Sequence, residues 1–199
     1  MRVTTTIKFA LQLAAIVVST LPTMVLSQSH SDASERPELG LTYTYLHSNE
    51  LPAGNASINL NGGSATFALP LRSHDLSLVA DVTAAHSGGI TASGYSLTLA
   101  TYTGGVRYSP RFLQSVRPYG QALFGVAHSS GSLVQSQTTS VPNAGATFAM
   151  KLGGGLTIPT HHRISIRLVE ADYLFTTFNN GANNHQNNFS VSSGLIFLF

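Results

Sequence analysis

Cysteine is absent from the 199 residues. That excludes disulfides, thiol catalysis, thiolate metal sites and a cysteine-linked lipid anchor. Charge is scarce too. Charged residues make up 9% of the chain and hydrophobic ones 43%, whereas ordinary soluble domains carry roughly 25% charge. A surface so poor in charge suits contact with lipid. Two of the ten basic residues, Arg2 and Lys8, precede residue 28, which leaves eight to balance eight acidic ones. A near-neutral chain gives nucleic-acid binding no electrostatic support. Beyond the N-terminus there is no apolar run of about 20 residues, so no transmembrane helix is available. A closed barrel of strands is the other structure that can span a bilayer.

The N-terminus itself reads as a leader. Arg2 and Lys8 precede the apolar stretch from Phe9 to Val18, which is interrupted afterwards by Thr20 and Pro22. A charged segment followed by a short apolar one is the pattern of a secretory signal, and the run is too short for an anchoring helix. Val25 and Ser27 suit cleavage after Ser27, with Ser29 a second candidate. The expected organisation is a removed signal peptide over 1–27, a polar disordered lead-in over 28–36, and one domain over 37–199.

Within that domain, turn clusters separate segments of about ten residues with apolar residues at every second position, the length and period of tilted membrane strands. Eight strands are expected: Leu39 to His47, Gly63 to Leu71, Asp75 to His86, Tyr95 to Tyr108, Val116 to His128, Ala146 to Ile158, Arg163 to Phe175 and Asn188 to Phe199. In the last, Phe189, Val191, Leu195, Phe197 and Phe199 share one face, with Ser190, Ser192 and Gly194 on the other.

Two strands change phase. In the seventh, Ile164, Ile166 and Leu168 give way to Ala171, Tyr173 and Phe175. The charges switch with them, from Arg163 and Arg167 to Glu170 and Asp172. One extra residue near Val169 would produce both shifts. In the fourth, Leu97 and Leu99 precede Tyr102, Val106 and Tyr108 on the opposite parity, which predicts a bulge near Thr101. Connections after strands one, three, five and seven read as long and rich in Gly, Ser and Asn and the others as short, the asymmetry of outer-membrane barrels with long loops outside and short turns in the periplasm. Pro70 and Pro118 are expected at strand ends, because proline lacks a ladder donor. Tyrosines and phenylalanines near strand ends, such as Tyr43, Tyr45, Tyr108 and Tyr173, suit interfacial girdles.

The terminal phenylalanine, the segment R-P-Y-G-Q-A-L-F-G-V-A from Arg117 to Ala127, and L-V-E-A-D-Y from Leu168 to Tyr173 resemble the small OmpA/OmpX-type barrels, the opacity-like porin family. The resemblance covers the whole expected mature chain. It implies an all-β fold, an eight-stranded antiparallel up-and-down transmembrane β-barrel in the bacterial outer membrane. It also implies that Val191, Leu195, Phe197 and Phe199 form an assembly signal read by the barrel-assembly machinery. The peptidoglycan-binding domain of longer members has no counterpart in these residues, so no cell-wall anchoring is expected.

Strand parity puts Asp81, Arg107, Arg117, Lys151, Arg167, Glu170 and Asp172 on inward faces. An eight-stranded barrel is just wide enough to be filled by side chains. Buried charges must pair, so an ion-pair network plugging the lumen is expected. The same residues could instead line a narrow, gated ion path. Catalysis is not expected. The spacing of His128 and Ser130 is similar to that of lipid A deacylase barrels, but no acid lies between His128 and Glu170. His161 and His162 lack further metal ligands nearby, and no cofactor motif occurs. The expected role is structural or surface-interacting, through the outer loops, in a monomer surrounded by outer-membrane lipid. The extracellular partner is not specified. A soluble, lipocalin-like barrel is the alternative with the faces reversed.

Overall fold

The computed structural model describes residues 36–48, 57–71, 75–90, 95–110, 115–131, 146–161, 163–178 and 185–199. The expected leader over 1–27 lies outside them, as do the lead-in apart from Arg36 and much of each connecting segment. The chain divides into Met1–Ser31 and Asp32–Phe199, and the described residues all belong to the second unit. It contains eight strands: β1 (Glu38–Ser48), β2 (Ile58–Pro70), β3 (Leu76–Ile90), β4 (Tyr95–Tyr108), β5 (Arg117–Ser130), β6 (Ala146–His161), β7 (Ile164–Thr176) and β8 (Gln186–Leu198). Each pairs antiparallel with the next, and β1 pairs with β8 to close the barrel. Phe199 N donates to Pro37 O at 3.1 Å and Leu198 N to Arg163 O at 2.9 Å, so the last residues are tied on both sides.

The alternation that reads as strand in the sequence divides inside from outside. Along β1, Leu41, Tyr43 and Tyr45 are exposed while Thr42, Thr44 and Leu46 are buried. The same division holds on β2, β3, β5, β6 and β8, and Leu78, Phe124, Phe148 and Leu195 are all exposed. A soluble monomer rarely carries so continuous an apolar exterior. The lipocalin-like alternative would need these faces reversed, and they are not.

The extra residue in β7 lies where the double phase change puts it. Arg167 pairs with Gly194 and Glu170 with Ser192, so three steps along β7 face two along β8. On the other side, Arg167 pairs with Thr157 and Val169 with Leu156. Residues 165 and 167 are buried before the bulge, and 170, 172, 174 and 176 after it.

The bulge expected near Thr101 is not there. The β3–β4 ladder is unbroken from Leu76–Tyr108 to Ser87–Leu97, and its one irregularity falls between Ser87 and Ile90. Leu99 is buried inside the barrel, and Leu97 packs against the same cluster. The apparent phase change was an apolar residue on the inward parity, not a shift of the strand. The connection after β3 is also corrected: β3 runs on to Ile90, which leaves only 91–94, shorter than 109–116 after β4. Connections after β1, β5 and β7 keep the long–short contrast. The end bearing the connections after β1, β3, β5 and β7 is termed the loop end, and the other the turn end. Pro118 lies at the second position of β5 and Pro70 at the last of β2, both at the turn end.

Deleting Val169 would set two residues of β7 against two of β8. That variant is expected to keep the faster migration of an unboiled folded barrel on a denaturing gel. Deleting Ala171 would turn part of β7 inside out and is expected to abolish that band.

Candidate functional site: the plugged lumen

Six charged side chains meet inside the barrel at 4% exposure or less: Asp81, Arg107, Lys151, Arg167, Glu170 and Asp172. Three are cations and three are carboxylates. Lys151 Nζ lies 2.6 Å from Asp81 Oδ1 and donates to Thr83 Oγ1 at 3.0 Å. Thr66 and Thr83 also donate to the Asp81 carboxylate, both at 3.0 Å. Arg167 Nη1 lies 2.9 Å from Glu170 Oε2 and Arg107 Nη2 lies 3.9 Å from the same oxygen. Arg107 also reaches Glu38 Oε2 at 3.6 Å, nearer the rim.

The β7 bulge makes this arrangement possible. Residues three apart on a regular strand face opposite sides. In the bulge Leu168 and Val169 share one place in the ladder, so Arg167 and Glu170 come to the same face, close enough to pair.

Tyr119 and Gln121 join Arg107, Arg167, Glu170 and Asp172, and Thr66, which accepts from Arg167 Nη1 at 3.4 Å and donates to Asp81, links them to the Lys151–Asp81 pair. Tyr119 donates its hydroxyl to Glu170 Oε2. Its ring carries the Arg107 guanidinium at 4.4 Å and that of Arg167 at 5.4 Å from its centroid. Gln121 Oε1 accepts from Arg107 Nη2 at 2.8 Å, and Gln121 Nε2 donates to Asp172 Oδ1 at 3.1 Å. Two inward glycines of β6 leave the space. A Cβ on Gly155 would fall 2.6 Å from the Tyr119 hydroxyl, and one on Gly153 would fall 2.3 Å from Asp172 Oδ1.

Of the seven lumen charges expected from parity, six thus come together. Arg117 does not. It is half-buried at the first position of β5, beside Thr157 of β6, and makes no ion pair with the described residues. Sequence reasoning missed Tyr119 and Gln121 as members, though both share the parity of Arg117. Of the expected assembly-signal residues, Leu195 is 45% and Phe199 64% exposed, while Val191 and Phe197 are half-buried on the same outward face.

The lumen also holds a second, unexpected layer. Leu46, Ile58, Leu60, Ala85, Leu99, Ala127, Ala149, Leu174 and Phe178 form a buried apolar cluster toward the loop end. In every strand that contributes to both layers, the charged residue lies nearer the turn end. Leu46 and Leu174 are apolar residues on otherwise polar parities, and that was the signal available in the sequence.

No family model matches the sequence, and no curated protein matches it. Solved structures do. Neisserial surface protein A superposes with a TM-score of 0.62 at 13% identity, over 82% of this chain and 97% of that one. Ail, the attachment invasion locus protein of Yersinia pestis, superposes with a TM-score of 0.55 at 14% identity, over 83% and 99%. The chain has the fold of the small outer-membrane β-barrels. At these identities the likeness is one of fold. The segments 117–127 and 168–173 that suggested it form β5 and the bulged part of β7.

In this outer-membrane-type barrel, His128 is half-buried on the outward parity near the end of β5, with Ser130 two residues on. No hydrogen bond joins them or ties either to a carboxylate among the described residues. His161 closes β6, and its neighbour His162 lies outside the described residues.

Removing one partner of a buried ion pair strands the other, at a cost on the order of 3–5 kcal/mol. Lys151→Met and Asp81→Asn are each expected to lower unfolding stability by that order in urea titrations of the refolded barrel. The Asp81→Leu/Lys151→Met double variant removes both charges and is expected to recover most of the loss.

Proposed function

We propose that the protein is a non-catalytic integral barrel of the bacterial outer membrane, acting structurally or by surface interaction through the segments at its loop end. The observation that carries this reading is the double closure of the lumen. An ion network and an apolar cluster lie one behind the other across a barrel of only eight strands. With transport disfavoured, the exterior and the connecting segments are what the chain offers to partners. The exposed apolar wall supports a lipid surround. The assembly machinery is the expected partner in biogenesis, engaging Val191, Leu195, Phe197 and Phe199.

A narrow channel is the second reading, and one observation favours it. Thr101 Oγ1, Thr103 Oγ1, Asp172 Oδ2, Thr176 Oγ1 and Asn188 Oδ1 are buried without a hydrogen-bond partner among the described residues. Buried polar atoms of this kind are commonly met by water.

Two measurements test the assignment. Protein from an outer-membrane pellet is expected to migrate faster unboiled than boiled, and an epitope inserted within 132–145 to be reached by antibody on intact cells. Recovery in the soluble periplasmic fraction would end the membrane reading. In planar bilayers the wild type and Glu170→Gln are both expected to be silent, because the apolar layer remains in each. Steady conductance that changes in Glu170→Gln would establish the channel instead.

A further inference from the structure

We propose that the outer wall of β7, β8, β1 and β2, near the loop end, binds the sugar headgroup of a glycolipid. The inference rests on the reading above that puts the loop end at the outer leaflet. These four strands are consecutive around the barrel. Three cross-strand pairs lie on their outward faces. Tyr43 Oη donates to Asn61 Oδ1 at 2.7 Å and Tyr173 Oη to Asn187 Oδ1 at 2.6 Å. His47 Nδ1 meets Asn59 Oδ1 at 2.7 Å. Phe189 pairs with both His47 and Tyr173, which makes the surface continuous across β8.

The chemistry of the three pairs is the same. Each asparagine is engaged through its amide oxygen, so the two N–H groups on its nitrogen remain for a ligand. An amide oxygen only accepts, so His47 donates from Nδ1, and its Nε2 is left as an acceptor in the neutral ring. The tyrosine rings offer apolar faces beside these groups; Tyr43 is 60% and Tyr173 41% exposed. A surface that combines ring faces with paired donors and acceptors matches a sugar, whose C–H face is apolar and whose hydroxyls both donate and accept. An acyl chain would leave the amide N–H groups without partners. A phosphate would call for basic side chains. Among the described residues, arginine and lysine occur only in the lumen or at the turn end. The patch is therefore polar and uncharged, which favours the sugar over the phosphate as the recognised group.

The test compares two anionic lipids of which one carries a sugar headgroup, and the side-chain variants separate the sugar from other differences between them. Refolded mature protein in detergent is incubated with lipid A or with phosphatidylglycerol, and the retained lipid is read by native mass spectrometry. The wild type is expected to retain lipid A in preference. Asn61→Leu/Asn187→Leu is expected to lose about tenfold of that retention, the order for two hydrogen bonds. Thr98→Val removes a comparable outward pair on β3–β4, with His86 Nδ1 at 2.8 Å, and is expected to keep the preference. Equal retention of the two lipids overturns the proposal, as does unchanged retention in the double variant or an equal loss in Thr98→Val. The heat-dependent band shift is measured for every sample. Wild type that shows the shift but no preference sinks the lipid site alone, whereas wild type without the shift sinks the membrane reading and the site with it.

Discussion

The pairing of β1 with β8 is the constraint on which the rest of the structure depends. A bilayer core supplies no water to an unpaired N–H or C=O, so a sheet that crosses it cannot keep an edge. The register from Glu38–Leu198 to Ser48–Asn188 leaves none. Once eight strands close, the interior is only as wide as the side chains that fill it. Every residue is then assigned by parity to lipid or lumen. Leu41 and Tyr43 can be exposed, and Arg167 and Glu170 buried, because closure exchanges the usual roles of the two faces.

That exchange makes the interior costly. Six charges in a narrow lumen are stable only with near-complete pairing and hydrogen bonding. The chain meets this demand with equal numbers of cations and carboxylates, with Tyr119 and Gln121 as connectors, and with glycines where the connectors need room. The bulge at Leu168–Val169 follows from the same demand. With the same residues in a regular strand, Glu170 would face lipid, and the Arg167 and Arg107 guanidiniums would lose the carboxylate oxygen they share.

Much of this was legible in the sequence because a strand has period two, and two classes of residue can be read against that period at once. In β7 the apolar and charged residues changed phase together, and only an inserted residue does that. In β4 only the apolar residues changed, from Leu97 and Leu99 to Tyr102 and Val106, and the same inference failed. Leu99 is apolar because it fills the lumen, and periodicity cannot tell an apolar residue facing lipid from one packed against other side chains across a barrel. The layer formed by Leu46, Leu60, Leu99 and Leu174 is a contact among distant strands, visible only once they are closed. The membership of Tyr119 and Gln121 was hidden for a related reason: parity placed them inward, but their partners on β7 are 51 residues away in each case.

The two layers of the lumen differ in physical kind, and the difference bears on what the barrel can do. An ion network offers its members more than one partner within the lumen. Arg107 already stands between Glu38 and Glu170, at 3.6 and 3.9 Å. An apolar cluster offers a rearranged ion nothing to exchange with, and a narrow apolar constriction resists wetting. The charges pack the lumen toward the turn end, and the leucines pack it toward the loop end. On the reading proposed above, the exposed wall is what such a barrel offers to partners.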